Sequence, residues 1–348
     1  MTAWLAMTAA AVDAVVAGMT DWANPSSPHA EGRAARAALE AARRGIARAY
    51  GWTGETLLTS GASESLAIAL GRSVATRRIL SAVEHDAAIR AGGTAEVVRV
   101  GADGIVALDA LAAMLDGDGP TLVAVQWANS ETGVRQPIGQ VAAIVHAAGA
   151  LLLVDAAQMP ASDELADHAD FVALSAHKRG GPPWIGALLV RDLATLLPSG
   201  GQERGYRGGT ENLPAALGYA AALAAPEPVA LHAAMRLRLD DAVRRSGGVV
   251  VADTSPRHPA IASYHLPGVA SAAQLIRLDA AGFAVSAGSA CASGSMKPSH
   301  VLGAMGWSEA TSREVIRVSF GRTTQDADVD AFIAAWRSVA RATRRLVA

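Results

Sequence analysis

DFVALSAHKRGGP, residues 170–182, runs four apolar residues, Phe171 to Leu174, straight into Ser175, His177 and Lys178, and then stops on two glycines and a proline. A continuous apolar run this short, closed by turn residues, fits a strand buried on both faces. The polar cluster then falls at the strand's carboxyl end, where open α/β sheets collect their ligands. Of the 30 lysines and arginines in the chain only two are lysine, Lys178 and Lys297. A lysine at the rim of a buried sheet is costly to keep charged, and as a neutral amine it forms a Schiff base with an aldehyde, which arginine cannot. Taken alone, Lys178 also fits a surface lysine closing a loop.

The same texture repeats outward from this stretch. RILSAV (78–83), AEVVRV (95–100), TLVAVQ (121–126), ALLLVDA (150–156) and GALLVR (186–191) are further short apolar runs. Helix-like pieces separate several of them: 29–51, which ends at Gly51, then 64–75, LDALAAML and IGQVAAIVHAAG. The alternation predicts a largely parallel sheet between helices. Beyond Pro226 a long helical piece (229–245) leads into GVVVAD, AIASYHL, FAVSAG and VIRVSF, the pattern of a smaller α+β unit. We therefore expect a large domain over 13–228 and a small C-terminal domain over 229–348, with residues 1–12 packing on the small one.

Bulk properties narrow the function. The chain has 348 residues, 51% of them hydrophobic and 18% charged, and a net charge of −2 with no block of like charges. That argues against a nucleic-acid groove or an anionic membrane surface. The apolar N-terminal stretch lacks a basic lead and is interrupted by Asp13, unlike a signal peptide. A single cysteine, Cys291, excludes an internal disulfide and points to a reducing, cytoplasmic setting.

Several residues carry possible chemistry. Asp155 follows four apolar residues and needs a cation or a hydrogen-bond network; a pyridinium nitrogen would serve, and a helix cap fits equally well. Gln158 stands one turn on. TSGASES (59–65) puts small and hydroxyl residues at a helix start, where phosphate binds and where ordinary N-caps also occur. His85 suits ring stacking or proton transfer, and equally a structural role. Arg317 inside VIRVSF calls for an anion, either a substrate carboxylate or an internal partner. Cys291 sits in SAGSACASGSMKPS, whose small residues have little to pack, so a reactive thiol fits better than a buried one.

In order and spacing these pieces resemble the cysteine desulfurases of the class V aminotransferase family. NPSSPHAEGRAAR, TSGASES, EHDA, ETGVRQPI, VDAAQ, SAHKRGGP, GGQERGYRGGTEN, GSACASGSMKPSHVLGAMG and IRVSFGR carry the likeness from about Asn24 to Phe332. The resemblance implies a fold type I pyridoxal phosphate (PLP) enzyme with a mainly parallel seven-stranded sheet and a smaller C-terminal domain. It implies that Lys178 tethers the cofactor and later takes the substrate's Cα proton. Asp155 would pair with the ring nitrogen, Gln158 and Ser130 with ring oxygen, and His85 would stack on the ring. Ala62, Ser63, Ser175 and His177 would surround the phosphate, with Thr210 reaching over from the second subunit of a homodimer. Arg317 and Asn129 would hold L-cysteine, and Cys291 would take its sulfur as a persulfide and pass it to an acceptor protein, such as one assembling iron–sulfur clusters. No metal is implied.

The chain departs from the family in places. Ser130 stands where the family carries Asn, and Pro183-Trp184 replaces Lys-Gly. WLAMTA (4–9) is the only trace of the usual N-terminal strand, and the chain ends at Ala348 without the longer tail of some relatives. The competing readings are a selenocysteine lyase, another β-lyase or an aminotransferase of the same fold, and a sulfur-relay protein without catalysis.

Overall fold

A computed structural model describes residues 6–117, 119–287 and 298–347. The large sheet has seven strands: β1 (Glu55–Thr59), β2 (Arg77–Ser81), β3 (Glu96–Val98), β4 (Thr121–Gln126), β5 (Leu151–Asp155), β6 (Phe171–Ser175) and β7 (Gly186–Val190). Their order is β1-β7-β6-β5-β4-β2-β3. From β6 across to β3 all pairs are parallel, while β7 runs antiparallel to both β6 and β1.

Both faces of the sheet are apolar, which is why its strands read as unbroken hydrophobic runs. Val172 and Leu174 point into one core with Leu152, Val154, Leu39, Ile46, Val141 and Tyr219. Phe171 and Ala173 point into the opposite core with Leu153, Leu66 and Leu70. Helices α1 (Ala9–Thr20), α2 (Ala30–Ala49), α3 (Ala62–Arg72), α4 (Asp86–Gly92), α5 (Leu108–Leu115), α6 (Ile138–Ala147) and α7 (Leu213–Leu223) cover it. The first core takes residues from α2, α6 and α7, the second from α3 and α4.

Helix α8 (Val229–Arg245) leads into a second, smaller sheet. This four-stranded antiparallel sheet has the order β10-β11-β9-β8, from β8 (Val249–Val250), β9 (Ile261–His265), β10 (Ser286–Ala287) and β11 (Val315–Ser319). Helices α9 (Ser271–Ala280), α10 (His300–Ala304), α11 (Glu309–Ser312) and α12 (Asp326–Val347) complete it. Its separate core centres on Tyr264, Ile316, Phe332 and Trp336.

The N-terminus differs from expectation. Residues 6–8 form no strand, α1 starts at Ala9, and the segment meets the large unit rather than the small one. Thr8 N donates to Gly180 O at 2.9 Å, and α1 runs against α7, with Gly18 lying so close to Pro214 that a Cβ there would come within 2.9 Å of its backbone. An Ala- and Val-rich helix, apolar on most sides, finds more surface to bury there.

Candidate active site

Polar groups converge where the parallel strands end. Gln126 and Asp155 are register partners at the ends of β4 and β5, and β6 delivers Ser175 beside them. After Ser175 a short 3-10 turn, Ala176–Arg179, carries His177 and Lys178, and Gly180 closes it in the left-handed conformation with φ of 76°. At the end of β1 the chain turns through Gly61 into α3, so Ala62 and Ser63 form that helix's first turn. Gly186 brings the two halves together. A Cβ there would lie 2.3 Å from Leu174 O and 2.6 Å from Gly61 Cα, so only glycine lets the Lys178 strand and the α3 loop approach this closely.

These elements enclose a cavity of about 390 Å³. Ala62, Ser63, His85, Ser130, Asp155, Gln158, Ser175, His177 and Lys178 all line it, so nine of the sequence-derived residues share one chamber. Asp155 is buried, and burial raises its pKa. The N–H of Ala157, at 3.0 Å, and the charges of His85 and Lys178 oppose that rise. His85 caps α4, its Nδ1 accepting from Ala87 N at 3.1 Å, which leaves Nε2 to carry the ring's proton. His177 Nδ1 lies 3.0 Å from Ser175 Oγ; burial, then Lys178 and Arg179, lowers its pKa. Glu64 also lines the cavity at the α3 start. Burial works against its charge, but Ser60 N–H and Arg207 together hold its pKa below the ordinary value.

Three sequence-derived residues do not line this cavity. Asn129 is buried and is not among the residues lining the cavity. Its Nδ2 donates to Val83 O, and its Oδ1 accepts from Glu131 N, Thr132 N and Thr132 Oγ1, so the carboxamide is spent on the turn. Thr210 is exposed and is not among the residues lining the cavity of its own chain. Arg317 stands in an adjoining chamber, its Nη1 donating to Ser130 O at 3.0 Å and its Nη2 to Ser286 Oγ at 3.1 Å.

Cys291 lies outside the described residues, but the chain on both sides of 288–297 is described. Before it, Ser286 takes the Arg317 hydrogen bond. After it, Ser299 Oγ donates to the buried Glu131 Oε2 at 2.5 Å, and His300 Nε2 meets Glu84 O at 2.9 Å, one residue from His85. The described residues flanking 288–297 therefore meet Arg317 of the adjoining chamber on one side and, on the other, Glu131 and Glu84, the chain neighbours of Ser130 and His85.

Some site residues escaped the sequence reading. Glu84 is buried and accepts from Gln126 N at 2.8 Å, and its Oε2 finds no partner among the described residues. Burial first, then the Asp155 charge, pushes its pKa up to about 8 against the pull of the Gln126 N–H and Ser81. Nothing in VEHDAA signals that. Trp184 is 77% exposed, lines the cavity and sits at φ 60°, a region glycine prefers.

Residues 6–332 match the family model of the class-V aminotransferases. The chain belongs to that family. Among curated class-V relatives it is 36% identical to a cysteine desulfurase of Cereibacter sphaeroides, covering 89% of this chain and 86% of the relative. It is 35% identical to the IscS-like cysteine desulfurase of Mycobacterium tuberculosis, covering 97% and 95%. The NifS-like protein of Rickettsia africae superposes with a TM-score of 0.88 at 27% identity, over 97% of this chain and 98% of that one. The class-V fold that the sequence implied, a mainly parallel seven-stranded sheet with a small C-terminal sheet, is thus borne out.

The residues present fit the family's cofactor. Asp155 is a buried carboxylate to which a ring N–H⁺ would restore a counter-charge. The first turn of α3 offers backbone N–H groups to a phosphate, and Lys178 reaches the same cavity.

Proposed function

We propose that this chain is a PLP-dependent cysteine desulfurase, converting L-cysteine to L-alanine. The observation that carries this reading is that Lys178 and Asp155 share one cavity, while the described residues flanking 288–297 meet Arg317 of the adjoining chamber and Glu84, next to His85. An aminotransferase would use the first two but has no need of the thiol.

Bound PLP supplies an aldehyde that condenses with amines and a conjugated ring that takes up electron density from Cα. Lys178 Nζ would tether the aldehyde and, as a free amine, would take the proton from the substrate's Cα. Asp155 holds a proton on the ring nitrogen. Ser63, Ser175, His177 and the N-terminus of α3 fix the phosphate. His85 would stack on the ring, with its Nε2–H available as a donor. Arg317 binds the substrate carboxylate. The Cys291 thiolate attacks the substrate sulfur; its S–S bond forms as the C–S bond breaks, and the electron pair left on the substrate carbon takes up a proton. Cysteine plus thiol thereby becomes alanine plus persulfide, with no outside oxidant. A thiol acceptor protein then removes the outer sulfur, and the reaction belongs to the cytoplasm.

Two copies complete the enzyme, Thr210 of each serving the phosphate of the other. The exposed position of Thr210 supports this, as does α1, where Val12, Val16 and Met19 stand exposed at helical spacing. The test is Cys291→Ser: alanine and sulfide production fall by more than a hundredfold while the cofactor's visible absorbance stays. Full activity in that variant would refute the role of the thiol.

A further inference from the structure

Arg322 follows the end of β11, the strand of Arg317, yet its side chain reaches the back of the turn that presents Lys178. Its Nη2 donates to Arg179 O at 3.0 Å, the carbonyl of the residue after Lys178. Its Nη1 donates to Pro226 O at 2.9 Å and Ala225 O at 3.3 Å, in the link between α7 and α8. Its Nε lies against Gly180, where a Cβ would come within 3.2 Å of it, and finds no hydrogen-bond partner among the described residues. One guanidinium thus spans three segments: the exit of β11, the α7–α8 link and the Lys178 turn.

The Arg322 side chain is only 15% exposed, so water has little access to replace it at those carbonyls. A 3-10 turn of four residues, Ala176–Arg179, has few hydrogen bonds of its own and depends on such outside support. Arg179 ties the same turn to its surroundings, with Nη2 donating to Gln158 O at 3.1 Å and Nη1 to both oxygens of Glu227 at 2.7 and 2.8 Å. The Glu227 carboxylate also lies 3.5 Å from Arg322 Nη2, which lets two guanidinium groups stand side by side. The histidines nearby add no charge. Burial first, with Arg179 adding to it, pushes the pKa of His258 down to about 3, and burial lowers that of His232. Both Nη groups of Arg322 are taken up by chain carbonyls, which suits a clamp rather than a ligand site.

We propose that Arg322 is a positioning residue for Lys178. Its fork fixes the Ala176–Arg179 turn, and so the point from which Lys178 Nζ enters the cavity, and ties that point to the strand carrying Arg317. The chemistry given to Lys178 rests on the desulfurase reading; the clamp on the turn does not. A lysine at 322 keeps the charge but cannot reach carbonyls on both sides at once. A displaced amine loses alignment with the reacting carbon, a loss that appears in kcat rather than KM.

The test compares Arg322→Lys and Arg322→Gln holoenzymes with the parent, and with Arg238→Gln as a control, since Arg238 pairs only with the exposed Asp326 and Asp330. In both Arg322 variants amide hydrogen exchange over residues 174–182 quickens about tenfold while β4 exchanges as in the parent. Alanine production falls about tenfold in kcat, with KM for L-cysteine within about threefold. The control matches the parent in every respect. Parent values in both Arg322 variants overturn the proposal. So does a lysine variant that keeps parent exchange and kcat while the glutamine variant loses them, because charge and not the fork would then be at work. Exchange that quickens evenly along the chain, or variants that do not fold, also refute it, as the results of a residue supporting the fold at large. Faster exchange confined to the turn, in a protein that makes no alanine, would sink the desulfurase reading and leave the clamp standing.

Discussion

Glu84 is a carboxyl group whose folded pKa, about 8, lies above its ordinary 4.5. The folded protein thus holds a proton that the unfolded chain has already released at neutral pH. This contribution to stability is complete below about pH 4.5 and is lost as pH climbs through 8. Glu84→Gln cannot ionise. Relative to the parent it should gain stability of several kcal/mol between about pH 5 and pH 9, read from urea unfolding at the two values. Parallel curves for the two proteins would contradict the assignment. Trp184 poses a different question, because its left-handed backbone costs roughly 1–2 kcal/mol for a residue with a side chain. Trp184→Gly removes that cost and little packing, so the melting temperature should not fall. The mouth of the cavity loses an aromatic wall, and the variant should release its cofactor faster on dialysis.

Among the elements, the contact between Ser299, at the start of α10, and Glu131 joins the chain leaving the cysteine segment to the loop that carries Ser130. Ser299→Ala strands a buried carboxylate and should cost about 1–3 kcal/mol in urea unfolding. Alanine production should fall more than cofactor content does, since no residue lining the cavity changes. The strands of the large sheet were legible because both their faces are buried, and TLVAVQ and FVALS are strands over those very residues. The convergence of Asp155, Gln158 and Lys178 was legible for the same reason, since each follows such a run. Strand β1 did not stand out, since ETLLT begins with a half-buried charge and has only two strongly apolar residues. Strands β8 and β10 fall within GVVVAD and FAVSAG but keep only two residues each of those runs. The internal bonds of Asn129 were not legible, because a turn can use a carboxamide as well as a ligand can. Glu84, His258 and Arg179 take their meaning from neighbours 40 or more residues away in sequence, such as Gln126 and Glu227, and no local pattern announces them.

For the whole molecule, the exposed Thr210 and the apolar outer side of α1 argue that the working unit is a pair. Light scattering should give twice the 35.5 kDa of one chain, and Thr210→Ala should weaken cofactor retention without altering that mass. A single-chain mass with full activity would remove Thr210 from the site. The junction between the two units depends on Glu227, which holds Arg179 of the large unit and approaches Arg322 of the small one. Glu227→Gln leaves two guanidinium groups facing each other and should cost about 3–5 kcal/mol. Finally, Gly186 acts as a spacer set at its smallest value. One hydrogen atom fixes the gap between the loop that would grip an anion and the strand that presents the amine, so neither can drift without the other. Even a methyl group there would pry the halves apart and detune tether and phosphate grip together, though it touches neither.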